Sequence, residues 1–348
     1  MKSSIAATCI LGMAAASAGA QQVGALAPAV RQYVAVDAPR VVLAHVRLID
    51  GTGAAAIQDR NIVIEAGRIA SIGPGADVRP VAGTTVLDLA GRSVFPGIVG
   101  MHDHLFYMAQ PRMDAAWHWE EPYLITEMAY SAPRLYLAGG VTTMRTTGSA
   151  EPDTDLSLAR QIEAGTLPGP HLDVTGPYLQ GEPSYFLEMR PLRGADDARE
   201  TVEYWAARGV TSFKAYTDIT RDELRAAVQA AHAHGIKVTG HLCSITYPEA
   251  AEIGIDDLEH GFFVNTQLDP GKKPDTCSDS GGEYTLAHMP PDGDAARALI
   301  RTLIDHHVAV TSTLPVFESD LPGRPPLRPA ALEALTPQAR EALLYRRE

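Results

Sequence analysis

From residue 93 onward the chain alternates short apolar runs with amphipathic stretches of helical period, and each run leads into a helix. This is the pattern of parallel βαβ units, because parallel neighbours need a crossover of a dozen or more residues. Strands are expected at 95–102, 140–147, 171–176, 210–216, 236–242, 256–261 and 308–313, with helices near 122–138, 154–164, 195–208, 221–234, 246–253 and 294–307. The clearest unit runs from 209 to 242. Thr220 and Glu223 there have the spacing of a capping box, Leu224, Ala227, Val228 and Ala231 share one helical face, and Gly235 stands where a helix C′ residue belongs. Seven such strands, all in one direction, predict an α/β fold: a (β/α)₈ barrel lacking its last strand, with an open doubly wound sheet as the alternative.

The segment before residue 93 reads differently. The runs Val41–Asp50, Asn61–Glu65, Arg68–Ile72 and Thr84–Leu89 are β-rich and end at Gly-containing turns, which predicts a small antiparallel, sandwich-like β domain over residues 21–92. Residues 1–20 have the layout of an export signal: Lys2, an apolar core from Ile5 to Ala16, and the small-x-small run Ala18-Gly19-Ala20. The apolar core is too short for an ordinary membrane span, and no later segment reaches that length. A periplasmic or secreted protein is therefore expected. The formal charge of −13 argues against nucleic acid or an anionic membrane surface as partner.

A barrel of this kind carries its active site at the C-terminal ends of its strands. The first run ends in His102-Asp103-His104, whose imidazoles project together because side chains two apart share a face of a strand. The fourth strand holds Lys214 in an otherwise apolar and hydroxylic run, the fifth ends in His241 and the sixth in His260. Each alone is more often a hydrogen-bonded core residue than a ligand. Four histidines and a lysine on one rim point instead to a divalent-metal site of the zinc type.

These residues also carry a resemblance. Phe95-Pro-Gly-Ile-Val-Gly-Met-His-Asp-His104 resembles the opening motif of the amidohydrolase superfamily. Gly140-Val-Thr-Thr-Met-Arg145, Gly209-Val-Thr-Ser-Phe-Lys214, Gly240-His241 and Leu258-Glu-His-Gly261 are similar, in order and spacing, to its imidazolonepropionase-like and prolidase-like branch. The resemblance spans roughly residues 40 to 320. It implies a TIM-like barrel over residues 93–348 and a two-metal hydrolase of amide, dipeptide or cyclic-amide C–N bonds, working through a metal-bridging hydroxide. By that resemblance His102 and His104 hold one ion and His241 and His260 the other. Zinc is the expected metal, and a CO₂-derived carbamate on Lys214 is the bridge. The eighth strand of such enzymes ends in an Asp that moves the proton, and no equivalent follows Thr313: Asp305, Glu318 and Asp320 are all elsewhere. The catalytic acid is thus unassigned, and a truncated, catalytically inactive metal-binding homologue is the alternative.

The expected partner is a small molecule or dipeptide, with a homo-oligomer compatible. Rim candidates for substrate contact are Tyr107, Tyr178 and Tyr216, together with Tyr185 and Arg190. Cys243, two residues beyond His241, and Cys277, in the polar insertion Asn265–Glu283, are either a disulfide or two free thiols, with a soft-metal contact by Cys243 also open.

Overall fold

The computed structural model describes residues 23–75, 81–109, 124–184, 186–318 and 325–345. The expected export signal lies outside them. Two compact units divide between Pro96 and Gly97, a few residues beyond the boundary expected from composition.

The first unit is one five-stranded sheet. Strands β1 (Arg40–Leu48), β2 (Ile57–Glu65) and β3 (Arg68–Pro74) are antiparallel neighbours, while β4 (Thr84–Asp88) and β5 (Ser93–Val94) both pair with β1 in parallel. The expected antiparallel sandwich is therefore corrected to a mixed single sheet. The reason is local: only Ala66-Gly67, both at positive φ, make the tight turn that forces a hairpin. The longer connection after β3 leaves β4 free to cross to the far side of β1. Val46, Leu48 and Ile62 form the small core.

In the second unit β6 (Ile98–Asp103) opens a seven-stranded sheet. A hairpin of β7 (Phe106–Ala109) and β8 (Leu124–Glu127) follows. This replaces most of the helix expected near 122–138, whose helical part is confined to Ala132–Ala138, where Pro133 fits only the first turn. The sheet continues through β9 (Val141–Thr146), β10 (His171–Leu179), β11 (Ser212–Ala215), β12 (Lys237–Gly240), β13 (Asp257–Glu259) and β14 (Ala309–Thr311), all parallel and in chain order. β6 and β13 are not sheet neighbours, yet His102 on β6 lies 2.6 Å from Glu259 on β13. The sheet is therefore rolled into a nearly closed barrel. Among the described residues no strand follows β14.

Each crossover helix buries the face its period predicts. In Arg221–Ala233 the Thr220–Glu223 capping box closes, with the Thr220 N–H donating to Glu223 at 2.9 Å. Leu224, Ala227, Val228 and Ala231 are buried against the barrel. Among the described residues no helix is long and apolar enough to cross a membrane. Replacing Thr220 by Ala removes the hydroxyl that accepts from the Glu223 N–H and leaves the backbone half of the box, and urea denaturation should register a loss of about 1 kcal/mol.

Candidate metal centre at the barrel rim

The strand ends bring four imidazoles into one chain of contacts. Ring centroids are 5.2 Å apart for His104 and His102, 4.6 Å for His102 and His260, and 4.5 Å for His260 and His241. Lys214, only 2 % exposed, points into the same space with Nζ 3.3 Å from His102 Nε2. Its ammonium also lies 5.5 Å and 5.7 Å from the ring centres of Tyr178 and Tyr216.

The backbone makes this possible in two places. β6 changes register between Gly100 and Asp103, and the Asp103 carboxylate folds into the space a Cβ on Gly100 would fill. His260 sits at φ 67, a left-handed conformation that a non-glycine residue adopts at a cost and that turns its ring toward the rim. The Tyr247 hydroxyl supports that turn by donating to the Gly261 carbonyl at 3.0 Å.

Three rings are held from behind through Nδ1. His102 donates to the Glu259 carboxylate at 2.6 Å and His104 to the Gly148 carbonyl at 3.2 Å, both partners being acceptors only. His260 Nδ1 is 2.7 Å from the Thr313 hydroxyl. In each case Nε2 is the nitrogen left for the shared space, the arrangement by which outer partners orient metal-binding histidines.

Burial decides the charges. It pushes His102 and His260 down to about 2, assisted by the Lys214 charge, and holds His104 and His241 well below the usual imidazole range. All four rings are therefore neutral lone-pair donors. Burial also lowers Lys214 to about 7 against the pull of Glu259, so much of it is free amine at neutral pH.

Among the described residues no group of three or more His, Cys, Asp or Glu side chains is placed to hold a metal ion. The expected assignment would give each ion two imidazoles, with Lys214 between the pairs. The residues fit that pair of ions: four neutral imidazoles, three of them with the far nitrogen engaged, surround a buried amine.

Around this centre, Tyr178 and Tyr216 meet edge to face at 4.9 Å, and Tyr216 stands 4.9 Å from the His241 ring. Tyr178 also lines a cavity of about 450 Å³ with Ser149, Glu188, Tyr204 and Trp205. Arg190 lines the same cavity but is tied to Asp197 by paired hydrogen bonds of 2.8 and 2.9 Å. The Tyr107 side chain and Tyr185 lie outside the described residues. Cys243 and Cys277 form a disulfide, with Cα atoms 4.8 Å apart. It anchors the polar insertion beside His241 and, for a loop of this span, contributes on the order of 3 kcal/mol. Asp269 holds the same insertion by accepting from Ser280, Gly282 and Thr285.

Residue-by-residue reading of the sequence misses Glu259, Arg145 and Thr313. Glu259 carries a signal, a charged residue inside a three-residue strand immediately before a candidate ligand. Glu127 is missed as well. That carboxyl is pushed up to about 9 by burial and by the neighbouring Asp155. A carboxyl raised in the folded state stabilises the fold at low pH, and that contribution is lost as pH rises from its unfolded value toward 9. Glu127→Gln should therefore match the wild type near pH 4 and exceed it in stability at pH 8, by on the order of 2 kcal/mol in denaturant titrations.

The model of the Amidohydrolase family matches residues 93–306. An imidazolonepropionase of Pseudomonas entomophila is 26% identical over 224 residues, covering 62% of this chain and 49% of that protein. An imidazolonepropionase of an Arthrobacter species is 33% identical over 186 residues, covering 50% of this chain and 40% of that protein. Among solved structures, a Xaa-Pro dipeptidase with bound methionine aligns at TM-score 0.58 and 18% identity over 88% of this chain and 74% of that one. Phenylurea hydrolase B aligns at TM-score 0.54 and 21% identity, over 87% and 78%. The structural likenesses establish the fold. The chain spans about half the length of the curated relatives it matches.

Proposed function

The chain belongs to the amidohydrolase family, and we propose that it is a metal-dependent hydrolase of C–N bonds in a small molecule or dipeptide. The observation that carries this reading is the gathering of four neutral imidazoles around the buried Lys214 amine at one barrel rim. In it, His102 and His104 hold one divalent cation and His241 and His260 a second, with zinc suited to the nitrogen donors. When bound, the two cations supply a water nucleophile active at neutral pH and polarise the scissile carbonyl.

The chain's own residues prepare the rest. The Lys214 amine, held near 7, would add through its nitrogen lone pair to CO₂ and release a proton, leaving a carbamate whose single negative charge is shared by two oxygens. That would replace a neutral amine among the imidazoles by the anionic ligand they lack. The rings of Tyr178 and Tyr216 stand beside the amine and help shield it from bulk water. The likenesses to an imidazolonepropionase, a Xaa-Pro dipeptidase and a phenylurea hydrolase support a small C–N substrate. The leader-like residues 1–20 and the Cys243–Cys277 disulfide both support export to an oxidising compartment.

The alternative reading is a metal-binding homologue that does not catalyse. Elemental analysis of zinc-loaded protein should find about two ions per chain, and Lys214→Ala should hold fewer than half as many, partly restored by added propionate. Metal content unchanged by Lys214→Ala and His241→Ala would refute the site. Release of amine from a panel of dipeptides and cyclic amides separates the enzyme from the inactive homologue.

A further inference from the structure

A buried carboxylate with both oxygens engaged stands behind the rim and belongs to none of the residues assigned so far. Glu259 is fully buried. Oε2 accepts from His102 Nδ1 at 2.6 Å, while Oε1 accepts from Arg145 at 2.8 Å and from the Thr239 hydroxyl. Arg145 is itself fixed, donating to the Met101 carbonyl at 2.8 Å and to Asp257 at 3.2 Å. Asp257 in turn accepts from Thr311 at 2.8 Å. One guanidinium on β9 thus grips the backbone just before His102 and, on β13, the carboxylate that holds its ring.

We propose that Glu259 is a positioning residue: it fixes His102 as the Nδ1–H tautomer and aims Nε2 at the space shared with Lys214, and so sets metal affinity at that ring. The inference rests on the reading of His102 as a metal ligand. Three features separate it from a plain buried ion pair. Glu259 commits a whole oxygen to the ring, although Arg145 and Asp257 alone would make the ion pair. A carboxylate can only accept, so one tautomer is enforced. His104 and His260 are backed by a neutral carbonyl and a hydroxyl, so among these three His102 is the ring with an anionic partner. An anionic acceptor raises the donor strength of the opposite nitrogen, and losing such a partner costs about 10–100-fold in metal affinity.

The test uses the full mature chain, first metal-free and then titrated with zinc against a chromophoric chelator. Imidazole ¹⁵N spectra of the metal-free protein should show His102 as a single Nδ1–H tautomer, and Glu259→Ala should give a mixture of tautomers. Zinc affinity should fall about 10–100-fold in Glu259→Ala. Asp257→Asn disturbs the same buried network without touching His102 and should leave the tautomer and the affinity near wild type. Equal losses in the Ala and Asp257→Asn proteins would make Glu259 merely structural and overturn the proposal, as would an unchanged tautomer in Glu259→Ala. Should the Ala variant fail to fold, Glu259→Gln decides. It keeps an acceptor oxygen but no charge, so the tautomer should persist while affinity falls severalfold, and wild-type affinity would overturn the proposal. A wild-type chain that binds no zinc refutes the metal reading, while the metal-free spectra still decide whether Glu259 sets the tautomer.

Discussion

A hydrogen bond across the barrel, from the His102 ring on the first barrel strand to Glu259 on the sixth, is the contact on which the rest of the site depends. It joins strands that are not neighbours in the sheet, so it exists only because the sheet is rolled. The Glu259 carboxylate is buried without exposure, which is tolerable only because Arg145 and Thr239 satisfy its other oxygen. Phe213, Val238 and Leu258 are buried on the opposite faces of their strands from Lys214, Thr239 and Glu259, so this apolar packing lies outside the barrel wall and the polar lattice inside it, with the histidines on top.

The same burial sets the chemistry. Water is excluded from the rim floor, so the imidazoles give up their protons and Lys214 is close to doing so. In water these five groups would repel as partly charged cations; packed together they become five lone pairs facing one space. Desolvation is thus the means by which ordinary side chains are made into ligands. The cost falls on stability, offset by the crossover helices and their caps and by the disulfide that fastens the insertion beside His241.

Much of this is legible in the order of the residues. The strand and helix alternation, the barrel class and the five rim residues follow from periodicity and from what stands at each strand end. The stretch from 122 to 138 departs from its expected helix because Leu124–Glu127 and Ala132–Ala138 together imitate one helical run, and nothing local reveals that the first pairs with Phe106–Ala109. The small sheet departs from expectation for the same reason: period-two alternation tells which face a residue occupies, but not which edge of β1 its strand joins.

The sequence by itself determined the alternation of strands and helices after residue 93, the identity of the rim histidines and Lys214, and the resemblance to the amidohydrolases. These depend on spacings within single strands and turns. Only the tertiary structure decided which nitrogen of His102, His104 and His260 faces the site, that Lys214 loses its charge near neutrality, and that Cys243 meets Cys277. Each of those rests on groups brought together from distant parts of the chain, 157 residues apart for His102 and Glu259. Closure of the barrel, rather than any local preference, supplies the partner and removes the water.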